Sequence, residues 1–387
     1  MEQHLGFAEN DLDSLKAFWT AKEIEQQPDC WKKTYAIIDE CRPVINAFME
    51  SVLAHPELRI VLTGAGTSAF AGRALAPVLS KVTGCRVEAI ASTDIVSNPY
   101  QYFAEDIPTL LISFARSGNS PESVAAVELA NQCLSNCYHL ILTCNSKGEL
   151  YQRCSSDKRS FALLMPEETN DKSFAMTSSF SSMMVAAFSV FANGNEFSKE
   201  IERFCKCSEA LIKEINSLIS TMSQRDANRV IYLGSGCFQG LAQESALKLL
   251  ELTAGKVVAC FDSPLGFRHG PKSIVDNKTI IVVYISNDPY TRKYDLDLLK
   301  EIRRDNIANY VVAVTAQIDE VVTEGEYILV DNMDSAKDVE LLFPYMLIAQ
   351  LYAFHRSLVL GNTPDNPCPT GEVNRVVQGV TIHKFNN

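Results

Sequence analysis

The chain has 387 residues, 47% of them hydrophobic, and a formal net charge of −12. That length and apolar content suffice for two packed domains and exclude a disordered polymer. The acidic balance, with no run of Lys or Arg anywhere, excludes a nucleic-acid binder, which needs a basic face for the phosphate backbone. An anionic ligand must therefore be held by a local site.

Residues 1–4 open the chain without a basic segment leading into an apolar one, so no secretory signal is expected and the protein is placed in the cytoplasm. The apolar stretch 341–349 contains Pro344 and falls short of the roughly 20 residues that span a bilayer. It is expected to be a buried or interface helix, and no membrane partner is expected. Twelve cysteines are scattered through strand-like and helix-like runs (Cys85, Cys144, Cys237, Cys260), which reads as free thiols. The closest pairs, Cys205 with Cys207 and Cys133 with Cys137, are placed in helices. Neither has a second pair or a pair of histidines nearby, so no metal is expected.

In chain order, strand-like runs at 59–63, 86–91, 109–114, 139–143 and 160–164 alternate with amphipathic runs. Residues such as Leu110, Leu111 and Ile112 are apolar without alternation, as parallel strands covered on both faces require. The scheme repeats at 229–233, 256–261, 279–285, 310–315 and 327–330. The halves also match in sequence: Val61, Gly64 and Gly66 align with Ile231, Gly234 and Gly236, and Thr109 to Phe114 with Thr279 to Tyr284, all at an offset of 170 residues. The fold class is therefore α/β, with two tandem doubly wound, flavodoxin-like parallel-sheet domains. The expected organisation is an N-terminal helical extension (1–40), a first domain (41–200), a second (215–360) and a C-terminal tail (361–387).

Two loops of the first half suit a phosphate. Ser117-Gly118-Asn119-Ser120-Pro121 lies between a buried strand and a helix, with Ser120 at the N-cap and Pro121 at the first helical position. Exposed amides, the helix dipole and the hydroxyls of Ser117 and Ser120 form a cradle that needs little basic charge, and Arg116 is placed to add a charge-assisted contact. Gly64-Ala65-Gly66-Thr67-Ser68 has the same strand-to-helix setting and supplies Gly66, Thr67 and Ser68 as a second wall. The corresponding loop of the second half, 285–290, offers an aspartate where the first offers hydroxyls, so one anion site is expected. A rival reading takes Gly64, Gly66 and Ala69 as part of a dinucleotide fingerprint with Glu88 as its ribose acid; a nicotinamide enzyme has no use for the second hydroxyl-rich loop.

The helix-forming stretch 242–252 places Glu244, Lys248 and Glu251 on one face, while Ala246, Leu247, Leu249 and Leu250 are apolar. The helix is therefore expected to be largely buried, its charged stripe set against something other than open water. Downstream, Gly266-Phe267-Arg268-His269-Gly270-Pro271 offers His269 on a glycine-flanked turn. Glutamates, lysine and histidine together make an acid/base set. Their plain alternatives are a solvated salt-bridge stripe and a surface-loop histidine; His55, His139 and His355 are read as structural.

Taken together, the duplicated domain, the Gly-Thr-Ser and Ser-Gly-Asn-Ser loops, and Glu-x-x-x-Lys-x-x-Glu followed by His-Gly-Pro resemble the sugar isomerase (SIS) family over nearly the whole chain. The resemblance is to the isomerase half of glucosamine-6-phosphate synthase, and within the family to ketose/aldose isomerases regarded as galactosamine-6-phosphate deaminases, whose C-terminal segment 361–380 looks alike. It implies phosphate binding by Ser68, Ser117 and Ser120 with Thr67 beside them, an isomerisation base at Glu251, helix partners Glu244 and Lys248, and a ring-opening His269 that reaches a neighbouring subunit's site, hence a homodimer. It implies a sugar-phosphate substrate, no cofactor, and a tail over the active site. The synthase's Gln within its Ser-Gln-Ser-Gly-Glu-Thr loop is replaced by Arg116, and its C-terminal lysine has no clear counterpart, Arg375 or Gln378 lying nearest. The implied reaction turns a 2-amino-2-deoxyhexose 6-phosphate into a ketose 6-phosphate and ammonia, with galactosamine and tagatose 6-phosphates as the pair. The alternatives are a glucosamine-6-phosphate deaminase, a non-deaminating isomerase and a sugar-phosphate-sensing regulator.

Overall fold

The computed structural model describes residues 3–154, 157–192, 194–377 and 379–386. Two compact units account for the chain. One comprises Asp29–Asp171, Met176–Ser198 and Gly371–Asn387; the other comprises Met1–Pro28, Lys172–Ala175 and Lys199–Thr370. Each is built on one five-stranded parallel sheet.

The strands are β1 (Gln3–His4), β2 (Phe7–Ala8), β3 (Arg59–Thr63), β4 (Arg86–Ala89), β5 (Thr109–Ala115), β6 (Cys137–Thr143), β7 (Ser160–Leu164), β8 (Arg229–Gly234), β9 (Val258–Asp262), β10 (Thr279–Tyr284), β11 (Tyr310–Thr315) and β12 (Tyr327–Leu329). The first sheet runs β4-β3-β5-β6-β7 and the second, in mirrored listing, β12-β11-β10-β8-β9. Both are the flavodoxin-like order 2-1-3-4-5. The register repeats as well: Thr63 pairs with Ser113 in the first sheet as Leu233 pairs with Val283 in the second.

The elements differ from the sequence reading where local chemistry intervenes. β4 stops at Ala89, because Ala91 already caps the helix Ser92–Ser97. β9 starts at Val258, because Ala254 and Gly255 turn with positive φ just before it. Cys137 opens β6 and is not helical, so Cys133 and Cys137 sit on different elements. Leu250, apolar by sequence, is exposed. The antiparallel pair β1 and β2 was not anticipated. All twelve cysteines are free thiols.

The first-sheet unit packs Val61, Leu111 and Cys137 against Ile95, Phe103, Ala126 and Leu129. In the second-sheet unit, Ile231, Ile281, Val283 and Ala313 pack against Leu298, Leu299 and Ile302. The stretch 341–349 lies within the helix Asp338–Val359, whose residues are buried as far as Ser357. Among the described residues, no helix is long and apolar enough to cross a membrane. Asp365 accepts from the backbone amides of Trp19 and Thr20 at 3.1 and 2.7 Å, tying the start of the helix Phe18–Glu25 to the end of the second-sheet unit.

In the second sheet the loops at the strand-order reversal are closed by acids of their own unit. Asp295 accepts from the Ser235 hydroxyl at 2.5 Å and the Ser286 amide at 3.0 Å. Asp338 accepts from the Ser286 hydroxyl at 2.5 Å and the Asn287 amide at 2.8 Å. Burial pushes the Asp295 carboxyl up to about 6 against the Ser235 and Ser286 bonds, and Asp338 adds to the rise. A proton on Asp295 therefore favours the folded state. That contribution is complete below about pH 4, under the unfolded pKa, and is lost as the pH rises through about 6. The stability of D295N relative to the native chain should rise by about 3 kcal/mol from pH 4 to pH 7 in urea unfolding. Parallel pH profiles for the two proteins would show that Asp295 titrates normally.

Candidate active site

A doubly wound parallel sheet leaves a crevice beyond its strand ends where the winding order reverses. In the first sheet the reversal lies between β3 and β5, and both hydroxyl-bearing loops leave the sheet there. Gly66 adopts φ +55 immediately before the helix Thr67–Thr83, and a side chain on Gly64 would meet Ser68 Cβ at 2.5 Å. The two glycines therefore permit the tight approach that sets Thr67 and Ser68, both buried, at the helix start.

The second loop is braced from below. Asn145 donates its side-chain amide to the Ser117 carbonyl at 2.8 Å, and Asn119 accepts from the Glu149 amide at 2.9 Å. Leu150 donates to the Gly118 carbonyl at 3.1 Å. Ser120 takes the N-cap position with Pro121 following, yet its hydroxyl makes no capping bond. Asn119 is thus engaged by the fold; Ser117, whose hydroxyl accepts from the Asn119 amide at 3.3 Å, and Ser120 lie at partly exposed positions. Arg116 is buried, and its guanidinium donates to the Arg375 carbonyl at 2.8 Å. Gln378 lies outside the described residues.

The sequence reading missed Asp171. Its buried carboxylate accepts from the amides of Thr177, Ser178 and Ser179 at 2.9, 3.1 and 2.9 Å and from the Ser179 hydroxyl at 2.5 Å, capping the helix Ser178–Phe191. Burial pushes its carboxyl up, against the Ser179 bonds and the Arg116 charge. The only sequence signal was an acid six residues ahead of the hydroxyl-rich run 177–179, farther than an N-cap side chain ordinarily reaches. Met176 in the same unit places its sulfur 4.0 Å from the Ser68 hydroxyl.

In the second-sheet unit, the helix Cys237–Leu252 carries the charged face. Glu244 is 0% and Lys248 1% exposed, whereas the Glu251 side chain is 22% exposed. Lys248 Nζ lies 3.4 Å from Glu244 Oε1 and donates to Glu251 Oε2. Burial acts to lower the Lys248 pKa, but the two carboxylates outweigh it and hold the ammonium above its ordinary value. The stripe is therefore a buried triad in which Lys248 is favoured as the ammonium and Glu251, of the three, keeps access to solvent. A protonated lysine held this way cannot serve as a Schiff-base nucleophile.

His269 is exposed on the turn that follows the short helix Pro264–Phe267. The turn is staked on both sides: Arg268 donates to Glu301 at 2.8 Å, and Lys272 pairs with Glu301 and with Asp305 at 2.5 Å. Glu301 is a positioning group that sequence spacing did not reveal. His139, His355 and His55 are held by neighbouring side chains of the fold. His139 and His355 bond to Asn131 and Asn216 at 2.9 and 2.8 Å, and burial pushes both down to about 4. His55 meets the Tyr138 hydroxyl at 2.9 Å. Glu88, the acid of the dinucleotide reading, is held by Arg59 at 2.5 Å and Arg86 at 3.2 Å on the edge strand. No cluster suited to a metal occurs among the described residues.

The chain is similar to known proteins. The SIS domain matches residues 53–192 and 224–356. The D-galactosamine-6-phosphate deaminase AgaS of Escherichia coli is 50% identical over 368 residues, covering 95% of this chain and 96% of its own. The protein of the same name from Shewanella sp. (strain ANA-3) is 45% identical over 387 residues, covering 99% and 96%. The crystal structure of tagatose-6-phosphate ketose/aldose isomerase from Escherichia coli aligns with a TM-score of 0.89 at 47% identity, over 95% of this chain and 97% of that one. Both five-stranded sheets fall within the matched segments, and the chain belongs to the SIS domain family.

Proposed function

We propose that this protein converts D-galactosamine 6-phosphate to D-tagatose 6-phosphate and ammonia. The observation that carries the reading is the buried Glu244–Lys248–Glu251 triad with its single accessible carboxylate, in a chain that shares half its residues with a D-galactosamine-6-phosphate deaminase over nearly its full length. In this reading Ser68, Ser117 and Ser120, with Thr67, Gly66 and Gly118, hold the phosphate through hydroxyls and helix-terminal amides.

His269 passes a proton to open the pyranose ring, a transfer that imidazole supports in both directions near neutrality. Glu251 removes the C2 proton as O1 takes one up, giving the enolamine, and returns its proton to C1 as the nitrogen gives one up, leaving C1 an alcohol and C2 a ketimine. Water adds to C2, the C2–N bond breaks, and ammonia leaves with the proton it needs, so the ketose forms without redox change. Lys248 pairs with Glu251 and aims it, and Glu244 offsets the buried ammonium. The triad argues against a sensor, which requires only the hydroxyl loops. We further propose that the protein acts in the cytoplasm as a homodimer to which each copy lends His269. Arg375 is treated below.

The same proton transfer on a substrate lacking the amine is a plain ketose/aldose isomerisation, the activity named for the Escherichia coli structural relative. Incubation with galactosamine 6-phosphate or glucosamine 6-phosphate, with no added cofactor, should release ammonia from the galacto epimer. Release from the gluco epimer alone would reassign the substrate, and release from neither would leave the plain isomerase.

The phosphate assignment is checked separately. S117A should weaken inorganic phosphate and substrate binding by about 1.5–3 kcal/mol, the usual worth of a hydrogen bond to a charged group. Unaltered affinity in calorimetry would put the phosphate elsewhere.

A further inference from the structure

Residues 371–377 and 379–386 carry no helix or strand, and most of them are exposed. Two anchors nevertheless hold this tail within the first-sheet unit. At its far end Phe385 packs on Tyr100 with ring centroids 4.6 Å apart and joins the core of Val61, Ile95 and Leu111. At its near end two arginines act reciprocally. Arg116, on the loop assigned to phosphate, donates to the Arg375 carbonyl at 2.8 Å, while the Arg375 guanidinium donates to the Asp171 carbonyl. Asp171 in turn caps the helix Ser178–Phe191, and its carboxylate feels the Arg116 charge.

We propose that Arg116 is a positioning residue for the C-terminal tail, and that the Arg116–Arg375–Asp171 clasp docks the tail on the phosphate loop. Three observations separate this role from direct phosphate binding. Arg116 is 6% exposed, its guanidinium is engaged by a carbonyl of the tail, and its charge acts on the buried Asp171 carboxyl. A lone cation meant for an incoming phosphate would be left accessible and uncompensated. The planar fork also matters: a lysine keeps the charge but cannot hold a carbonyl at that reach while remaining beside Asp171.

The inference rests on the assignment of residues 117–120 to the phosphate, and its test separates the two. Amide hydrogen exchange of the 371–386 segment is followed in the native chain, R116K, R375Q and the double variant, together with inorganic phosphate affinity and the kcat and KM for galactosamine 6-phosphate. Exchange in the tail should quicken about tenfold in each single variant, the loss expected for one charge-assisted hydrogen bond, with little further change in the double variant. KM should rise with kcat less affected, and R116K should bind inorganic phosphate as the native chain does. A tail that exchanges at the native rate in both R116K and R375Q would overturn the proposal. So would a loss of phosphate affinity in R116K with the tail still docked, which would make Arg116 a phosphate ligand. R375Q changes an exposed side chain, so the comparison survives if R116K folds poorly. Failure of S117A to weaken phosphate binding would remove the loop assignment and leave the exchange result standing.

Discussion

A parallel sheet whose strand order reverses must send the loops on either side of the reversal in opposite directions, leaving backbone amides and helix N-termini without intramolecular partners at that point. Both sheets of this chain face that constraint and answer it differently. The second closes the gap with Asp295 and Asp338, whose carboxylates take up the Ser235, Ser286 and Asn287 donors. The first places Thr67, Ser68, Ser117 and Ser120 at its two loops. One duplicated architecture thus carries one loop pair stabilised by acids of its own unit and one that we propose holds an external anion.

The second feature of consequence is the burial of charge on the helix Cys237–Leu252. An ammonium at 1% exposure is stable only with compensation, and breaking such a pair by removing one partner costs about 3–5 kcal/mol. Glu244 supplies compensation from a fully buried position, and Glu251 supplies it from a position that still reaches solvent. Removing Lys248 would strand both carboxylates, so the lysine is a structural element besides the part we propose for it.

Much of this was legible in the sequence because it follows from periodicity and spacing. Apolar runs such as 110–112 marked parallel strands, the 170-residue offset marked the duplication, and the i, i+4, i+7 spacing of Glu244, Lys248 and Glu251 put them on one face. What escaped depends on contacts distant in sequence or on chain reversals. Asp171 caps a helix from six residues upstream, Glu301 stakes the His269 turn from 32 residues away in the chain, and the Arg116 guanidinium is spent on the carbonyl of Arg375. Cys137 reads as helical because the residues before it are; the exit from the helix at Cys133 is a tertiary decision. Leu250 shows the converse, an apolar residue at a position that the packing leaves exposed.

The account turns on Glu251 as the base that moves the proton between C2 and C1. The most direct measurement is turnover and ligand affinity of E251Q, which preserves shape and removes the charge. Turnover should fall by about 100- to 10,000-fold, the range for loss of a positioned general base, while sugar-phosphate affinity stays near that of the native chain. Ammonia release at the native rate by E251Q would contradict the central claim and move the proton transfer to another group.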